Sequence, residues 1–217
     1  MGLLSSTGSL TRYKVEGKIE EPVMETVASG LRQYSISEID DDASEKAVGW
    51  TSFNHPSEKA VGWTSFNHPF TANFEGSSFV IGPYLIFSLR IDKKSIPPKV
   101  IKKHTAMEQA KRLTESGREY LSKEEKNMIK DHVLNVLSLR VPSTPNVYDL
   151  IWNLEEGWLW FFSSMKNANE ELETLFKKSF KLPLIRLFPY TMAHLTASLS
   201  DSERDVLSQL SFTHFGK

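Results

Sequence analysis

The lysines in the middle of the chain have the spacing of side chains that share one face of a helix. These lysines form two sets, and each lysine lies three or four residues from another member of its own set. The two sets are Lys99, Lys102 and Lys103, and Lys123, Lys126 and Lys130. Each set would form a basic stripe, and such a stripe can follow a phosphate backbone without reading bases. The alternative is a solvent face held by salt bridges, because glutamates are interleaved with these lysines.

The same region carries the positive charge of an otherwise balanced chain. Residues 81–140 hold 13 Lys and Arg against 7 Asp and Glu, whereas the net charge of all 217 residues is −1. The near-zero total argues against a histone-like DNA binder. A local basic excess is nevertheless typical of a surface that meets phosphate.

Enzyme motifs are scarce. The sequence contains no G-x-G-x-x-G, Walker A, G-x-S-x-G or H-E-x-x-H motif, and it has no cysteine. The six histidines lack metal-ligand spacing. Asp92, followed by Lys93 and Lys94, is the nearest approach to a nuclease centre, and Asp40–Asp42 form a predicted acidic loop. We therefore predict a protein without catalytic residues, metal ligands or cofactors.

Aromatic side chains are concentrated between residues 148 and 162, where they could stack on single-stranded bases. Alternation along a strand would place Trp158, Trp160 and Phe162 on one face and Leu159 and Phe161 on the other. Because both faces are apolar, we expect a central or interface strand rather than an open stacking platform.

Two helices must position the lysine stripes. The first opens at Ile96-Pro97-Pro98 and continues to about Glu115, with Gly117 as its end signal. Ser122 and Glu125 have capping-box spacing, so a second helix is predicted from there to about Leu139. Together the two helices form a basic helical hairpin.

The remaining elements are predicted from apolar periodicity, turn residues and caps. They are strands at 10–15, 79–91, 147–154, 158–162 and 184–188, and helices after Pro22, at 167–180 and at 200–210. This order predicts an α+β fold, with a mixed, mainly antiparallel sheet, packed helices and a protruding basic helical hairpin. We divide the chain into a sheet domain (1–95 and 141–192), the hairpin (96–140) and a C-terminal tail with a short helix (193–217).

A perfect tandem duplication lies in the N-terminal third. Ser44–Pro56 and Ser57–Pro69 both read SEKAVGWTSFNHP, a match at all 13 positions. Each copy reads as a short strand, Val48–Phe53 in the first. We expect one copy to form the strand and the other to extend a loop or add a local element, since Trp50 and Trp63 would compete for one buried site. Because the copies are identical, the sequence does not distinguish which is the insertion.

Three stretches in a fixed order resemble the RdgC family of bacterial recombination-associated DNA-binding proteins. They are FSLRIDKKSIPPKVIKKHT, LSKEEKNMIKDHVLNVLSLRVP and VYDLIWNLEEGWLWFFSSMKNANEELETLFKKSFKLPLIRL. The resemblance covers roughly residues 8–190. It implies a cytoplasmic, nucleoid-associated homodimeric ring that encircles double-stranded DNA with little sequence preference and limits assembly of a recombinase filament. No membrane association is expected.

The resemblance also implies a set of phosphate contacts at positions where the family has basic residues. These are Arg90, Lys94, Lys102, Lys126, Lys130 and Arg140. Two features depart from the family pattern. The usual C-terminal part is missing or replaced by the tail 191–217, which puts ring closure in doubt, and the duplication adds residues that the family lacks.

Three other interpretations stay open at this point. The first is a metal-dependent nuclease that uses Asp92 or the acidic loop. The second is a protein-interaction module that acts on a recombinase through its aromatic surface without touching DNA. The third is a duplicated or engineered variant in which the repeat is the feature of interest.

Overall fold

Strands and helices are interspersed along the chain. The structure, a computed structural model, describes residues 3–4, 8–39, 59–76, 78–197 and 199–210. The strands are β1 (Thr11–Val15), β2 (Lys59–Thr64), β3 (Val80–Ile81), β4 (Tyr84–Lys93), β5 (Thr144–Asn153), β6 (Trp158–Phe161) and β7 (Leu184–Arg186). The helices are α1 (Val23–Gln33), α2 (Pro98–Ser116), α3 (Lys123–Arg140), α4 (Lys166–Phe180), α5 (Pro189–Thr196) and α6 (Asp201–Gln209).

Within these ranges the strands form one seven-stranded sheet in the order β2-β4-β5-β6-β1-β7, with β3 paired to β4 beside this path. All the strand pairings are antiparallel. The predicted α+β fold with a mainly antiparallel sheet is confirmed.

Alternation along β4 gives the sheet two chemically different faces. Leu85, Phe87 and Leu89 lie in the main hydrophobic core, whereas Ser88 and Arg90, between and after them, project from the opposite face. The core face is covered by α1 and α4, whose apolar residues belong to the same buried cluster. α1 and α4 therefore form one helical layer against the sheet. On the opposite face of β4, Ser88 and Arg90 are also buried, at 0% and 4% exposure.

Phe180 near the end of α4 is the centre of the aromatic part of this core. Its ring lies 5.1 Å from that of Trp152 and 4.8 Å from that of Phe176, measured between centroids. The rings of Trp63 and Phe87 contact it as well, at 6.0 and 6.3 Å. Burial of each such side chain stabilises the fold by about 1.5–3 kcal/mol, so this cluster ties α4 to the middle of the sheet.

The second copy of the repeat supplies β2. Its Trp63 is fully buried, and the Trp63 backbone exchanges 2.9 Å hydrogen bonds with Tyr34 and Ile36. Gly62 lies so close to this segment that a Cβ atom there would come within 2.5 Å of the Ile36 backbone. The first copy, with its predicted strand Val48–Phe53 and Trp50, lies outside the described residues, as does the acidic loop Asp40–Asp42.

The helical hairpin begins and ends close to the predicted positions. α2 ends at Ser116 and is capped by Gly117, whose φ of 64° is a left-handed conformation that favours glycine. Ser122 caps the start of α3 with the predicted capping box. Ser122 Oγ accepts from the Glu125 backbone N–H, and the Glu125 carboxylate accepts from the Ser122 backbone N–H. The hairpin has a small core of its own, formed by Leu121, Ile129, Val133 and Leu137.

The C-terminal region contains a helix that the sequence patterns did not predict. The predicted strand 184–188 ends at Arg186, and α5 starts at Pro189, a residue that suits the first turn of a helix. The Thr191 hydroxyl accepts a hydrogen bond from the Phe188 backbone N–H at 2.6 Å, which fixes this start. None of the helices in the described ranges is long and apolar enough to cross a membrane.

Candidate nucleic-acid interface

The hairpin exposes its lysines because its apolar side chains face inward. α3 turns Ile129, Val133 and Leu137 toward partly buried side chains of α2, including Ile101 and Leu113. The lysines occupy the remaining positions of both helices. Of the six predicted phosphate contacts, four have exposed side chains, Lys102, Lys126, Lys130 and Arg140.

Three of these four belong to one side of α3. Lys126 and Lys130 are four residues apart, and Arg140 follows Lys126 by 14 residues, which is about four helical turns. Among the described residues, no ion pair engages Lys102, Lys126, Lys130 or Arg140. The ion pair that the structure does show on this hairpin joins Arg118 to Glu125 at 3.2 Å. The charges of these four side chains are thus exposed to solvent.

The other two predicted contacts are in the interior. Arg90 is 4% exposed; its guanidinium donates to both carboxylate oxygens of Asp92, at 2.8 and 2.6 Å, and forms an ion pair with Glu38 at 2.7 Å. Lys94 is 5% exposed and its Nζ donates to the Ser138 backbone carbonyl at 3.2 Å. Neither side chain presents its charge to solvent.

The charge pair on β4 could have been recognised from the sequence. Arg90 and Asp92 are two residues apart on one strand, so they share a face and can pair. Burial lowers the pKa of the Arg90 guanidinium, but the hydrogen bonds and charges of Asp92 and Glu38 outweigh burial and raise it. Arg90 therefore stays charged inside the protein.

The nuclease interpretation used Asp92 or the acidic loop, and Asp92 is the one of the two that the structure describes. This carboxylate is fully buried and both of its oxygens accept from Arg90. In the part of the chain that the structure describes, no three His, Asp or Glu side chains are grouped so that they could hold a metal ion. The acidic loop 40–42, the other nuclease candidate, is outside the described residues.

The aromatic strand β6 lies between β5 and β1, as expected for a central strand. Leu159 and Phe161 are fully buried in the main core. Trp158 and Trp160 project from the other face, where Trp158 is half-buried and Trp160 is 37% exposed. The predicted alternation is therefore confirmed, but the second face of the strand is more open than we expected.

A family model described as "Putative exonuclease, RdgC" matches residues 31–203. The matched range starts near the end of α1, includes β2 through α5 with the whole helical hairpin, and ends in α6. A search among curated proteins gives no match to the chain.

Proposed function

The chain belongs to the RdgC family, and on this premise we propose that it binds duplex DNA without sequence preference and without catalysis. Family membership associates the chain with DNA recombination. In the proposal, the exposed basic side chains of the hairpin contact phosphates, and the bound protein restricts the access of a recombinase to DNA. It acts as a homodimer on nucleoid DNA in the cytoplasm.

One observation carries the proposal. Lys126, Lys130 and Arg140 present three positive charges on one side of α3, with no ion pair to them among the described residues. Lys102 adds an exposed charge on α2, the other helix of the hairpin. Long basic side chains on a rigid helix suit the regular spacing of phosphates, and contacts to phosphate carry no sequence information.

The proposal is tested by the anisotropy of a labelled duplex of random sequence, measured across a salt series. The logarithm of the affinity is expected to fall linearly with the logarithm of the salt concentration, because each phosphate contact releases counterions. Lys126→Glu/Lys130→Glu should weaken binding to all sequences alike and make the salt dependence shallower by about 0.9 per lost contact. Wild-type affinity in this double variant would refute the assignment.

The matched control is Lys177→Glu/Lys178→Glu. Both lysines are exposed on α4, outside the hairpin, and the control changes the net charge by the same amount. If the control weakens duplex binding as much as the hairpin variant, overall charge rather than the hairpin determines binding. Thermal melting of both variants would verify that the fold is retained.

The description of the family model as an exonuclease favours a second candidate function. In that case the protein would shorten end-labelled duplex DNA in the presence of Mg²⁺ or Mn²⁺, and EDTA would stop the reaction. The same DNA used for the anisotropy series serves as substrate. Cleavage that persists through purification and is lost on substitution of a single carboxylate would establish an enzyme in place of a binder.

A further inference from the structure

The border of the sheet at β2 holds a strand that belongs to the second copy of the repeat. Its six residues, Lys59–Thr64, pair with residues 88–93 of β4. On its other side the same strand exchanges backbone hydrogen bonds with residues 34–36. We call the space between β4 and this segment the β2 slot, because it holds one strand.

The contacts in the β2 slot select a short sequence. Gly62 passes so close to Ile36 that a side chain at this position would meet its backbone. Trp63 is fully buried and donates its indole N–H to Ser179 Oγ. The hydroxyl of Thr64 donates to a carbonyl at the end of the same copy, at 2.9 Å. The slot therefore favours glycine, tryptophan and threonine in this order.

The first copy of the repeat carries the same three residues in the same order. They are Gly49, Trp50 and Thr51, and the two copies match at all 13 positions. Lys46 likewise corresponds to Lys59, whose ammonium group pairs with a carboxylate on α4. Because the sequences are identical, the first copy can make each contact that the second copy makes through its own residues.

The residues that follow the two copies are different. Phe70 follows the second copy, and the centroid of its ring lies 5.5 Å from the Arg90 guanidinium carbon. Ser57 follows the first copy at the corresponding position. The Phe70 ring is 65% exposed, and an exposed cation–π contact changes an equilibrium by about two- to fivefold.

The length of the connections changes the balance little. With either copy in the slot, the other copy adds 13 residues to one connection, either before the strand or after it. The entropic cost of closing a loop rises only slowly with its length. The two arrangements are therefore close in free energy, and the Phe70 contact favours the second copy.

We propose that the β2 slot exchanges its strand within one chain, so that either copy of the repeat can form β2. The second copy occupies the slot about two to five times as often as the first. When the first copy enters, 13 residues move from the connection before Lys59 to the connection that leads to Phe70. Lys59 lies opposite Lys93, where β4 leads into the helical hairpin, so the exchange changes the length of chain attached beside the hairpin. The inference does not rest on DNA binding.

Pairs of introduced cysteines can trap each arrangement, since the chain has no cysteine of its own. In Lys59→Cys/Lys93→Cys the two positions are opposed on neighbouring strands, close enough for a disulfide. In Lys46→Cys/Lys93→Cys they are opposed when the first copy fills the slot. Initial rates of oxidation, followed on non-reducing gels and by mass spectrometry at low protein concentration, should be about two- to fivefold higher for the Lys59 variant.

The control for chance collisions is Glu45→Cys/Lys93→Cys. Glu45 precedes Lys46 by one residue, so in the slot its side chain would project to the other face of the sheet. Its thiol has nearly the same freedom to meet the cysteine at position 93 by chance. This variant should therefore oxidise much more slowly than Lys46→Cys/Lys93→Cys.

Phe70→Ala tests what sets the balance between the two copies. Added to Lys46→Cys/Lys93→Cys, it should raise the rate of oxidation about two- to threefold, because it removes the contact with Arg90 that favours the second copy. Tyr190→Ala, which removes a ring that is 46% exposed on α5, should leave the rate unchanged in the same background.

Two outcomes would overturn the proposal. One is oxidation of Lys46→Cys/Lys93→Cys no faster than that of Glu45→Cys/Lys93→Cys, while Lys59→Cys/Lys93→Cys forms its disulfide. The other is a disulfide that joins two chains in the Lys46 variant, which would place the first copy in the slot of another molecule. Lys59 and Lys93 are exposed, so the fold should tolerate these substitutions, and thermal melting of each variant verifies that it does.

Discussion

Trp63 donates its indole N–H to Ser179 Oγ at 2.7 Å, and this bond joins the second copy of the repeat to α4. The same indole lies edge-on to Phe87 at 5.2 Å and stacks on Phe180 at 6.0 Å. One site in the core therefore takes one tryptophan, although the sequence offers two identical candidates.

This site makes the two copies of the repeat directly comparable. Truncation of a buried tryptophan costs about 3–5 kcal/mol of unfolding free energy, so Trp50→Ala/Trp63→Ala should be destabilised by about that much. Trp50→Ala alone should cost much less, because Trp63 occupies the site. The loss of unfolding free energy in Trp63→Ala alone should lie between those of the other two variants, since the first copy can supply the same strand. Urea unfolding of the three variants measures their free energies of unfolding. Equal losses of stability in the two single variants would contradict the prediction.

The buried charges on β4 predict a structural role for Arg90 in place of a role in DNA binding. Asp92→Asn removes the charge that Arg90 pairs with and leaves Glu38 as its remaining carboxylate partner among the described residues. We expect a loss of about 3 kcal/mol of unfolding free energy, the usual effect of breaking a buried ion pair. Affinity for duplex DNA, measured below the melting transition, should not change. Asp131→Asn, on the exposed side of α3, is the control and should leave stability unchanged.

Tyr13 is expected to make the protein less stable at alkaline pH. Its hydroxyl lies 2.6 Å from Asn169 Oδ1 and 2.9 Å from Glu173 Oε1. Burial, followed by the negative charge of Glu173, raises the pKa of the Tyr13 phenol well above its usual value. The folded state therefore holds this proton more tightly than the unfolded state, and the resulting stability is complete below pH 10 and is lost as the pH rises further.

Tyr13→Phe tests this linkage. Loss of the hydroxyl leaves Asn169 Oδ1 without its donor, so the variant should be less stable by about 1–2 kcal/mol at neutral pH. Its stability should also decline less steeply than that of the wild type above pH 10. Unfolding curves at several alkaline pH values, with tyrosinate absorbance in parallel, measure both effects. Parallel stability profiles for the two proteins would show that Tyr13 does not control the alkaline limit.

The capping box of α3 predicts a local effect on the hairpin. Ser122→Ala removes the acceptor of the Glu125 backbone N–H and should lower stability by about 1 kcal/mol. Hydrogen bonds from the Ser122 backbone and hydroxyl hold the pKa of the Glu125 carboxyl below its usual value, so the substitution should raise that pKa. An NMR titration of Glu125 measures the shift. Ser200→Ala, in the corresponding box of α6, should leave the Glu125 titration unchanged.

Local signals in the sequence predict most of the elements. Helix caps depend on residues only a few positions apart. The capping box of Ser122 and Glu125 and the cap at Gly117 after α2 both appear where predicted. Apolar alternation in β6 correctly predicts that Leu159 and Trp160 lie on opposite faces of the strand. α5 was missed because its start depends on Phe188, which carries no capping signal of its own, and on a bond to Thr191 three residues later.

The candidate sites were harder to predict because exposure is a tertiary property. Arg90, Lys94 and Lys126 look alike in a charge count, yet Arg90 and Lys94 are buried. Their charges bond to residues distant in the sequence, Glu38 and Ser138. Trp160 is 37% exposed because it projects from the side of β6 opposite the core that α1 and α4 cover. Apolar patterning of β6 alone does not contain that information, since tryptophans occupy covered and open faces alike.

The order of strands also determines how the sheet meets other molecules at its borders. The border at β2 is occupied by the chain's own Tyr34–Ile36 segment, which exchanges hydrogen bonds with Trp63. At the other border β7 is short, with Pro183 directly before it and Pro189 three residues after its end. A proline cannot donate to an added strand, and a short strand offers little to pair with. The borders thus discourage the edge-to-edge joining of sheets that leads to aggregation, which leaves the faces, rather than the edges, as the surfaces available for specific association.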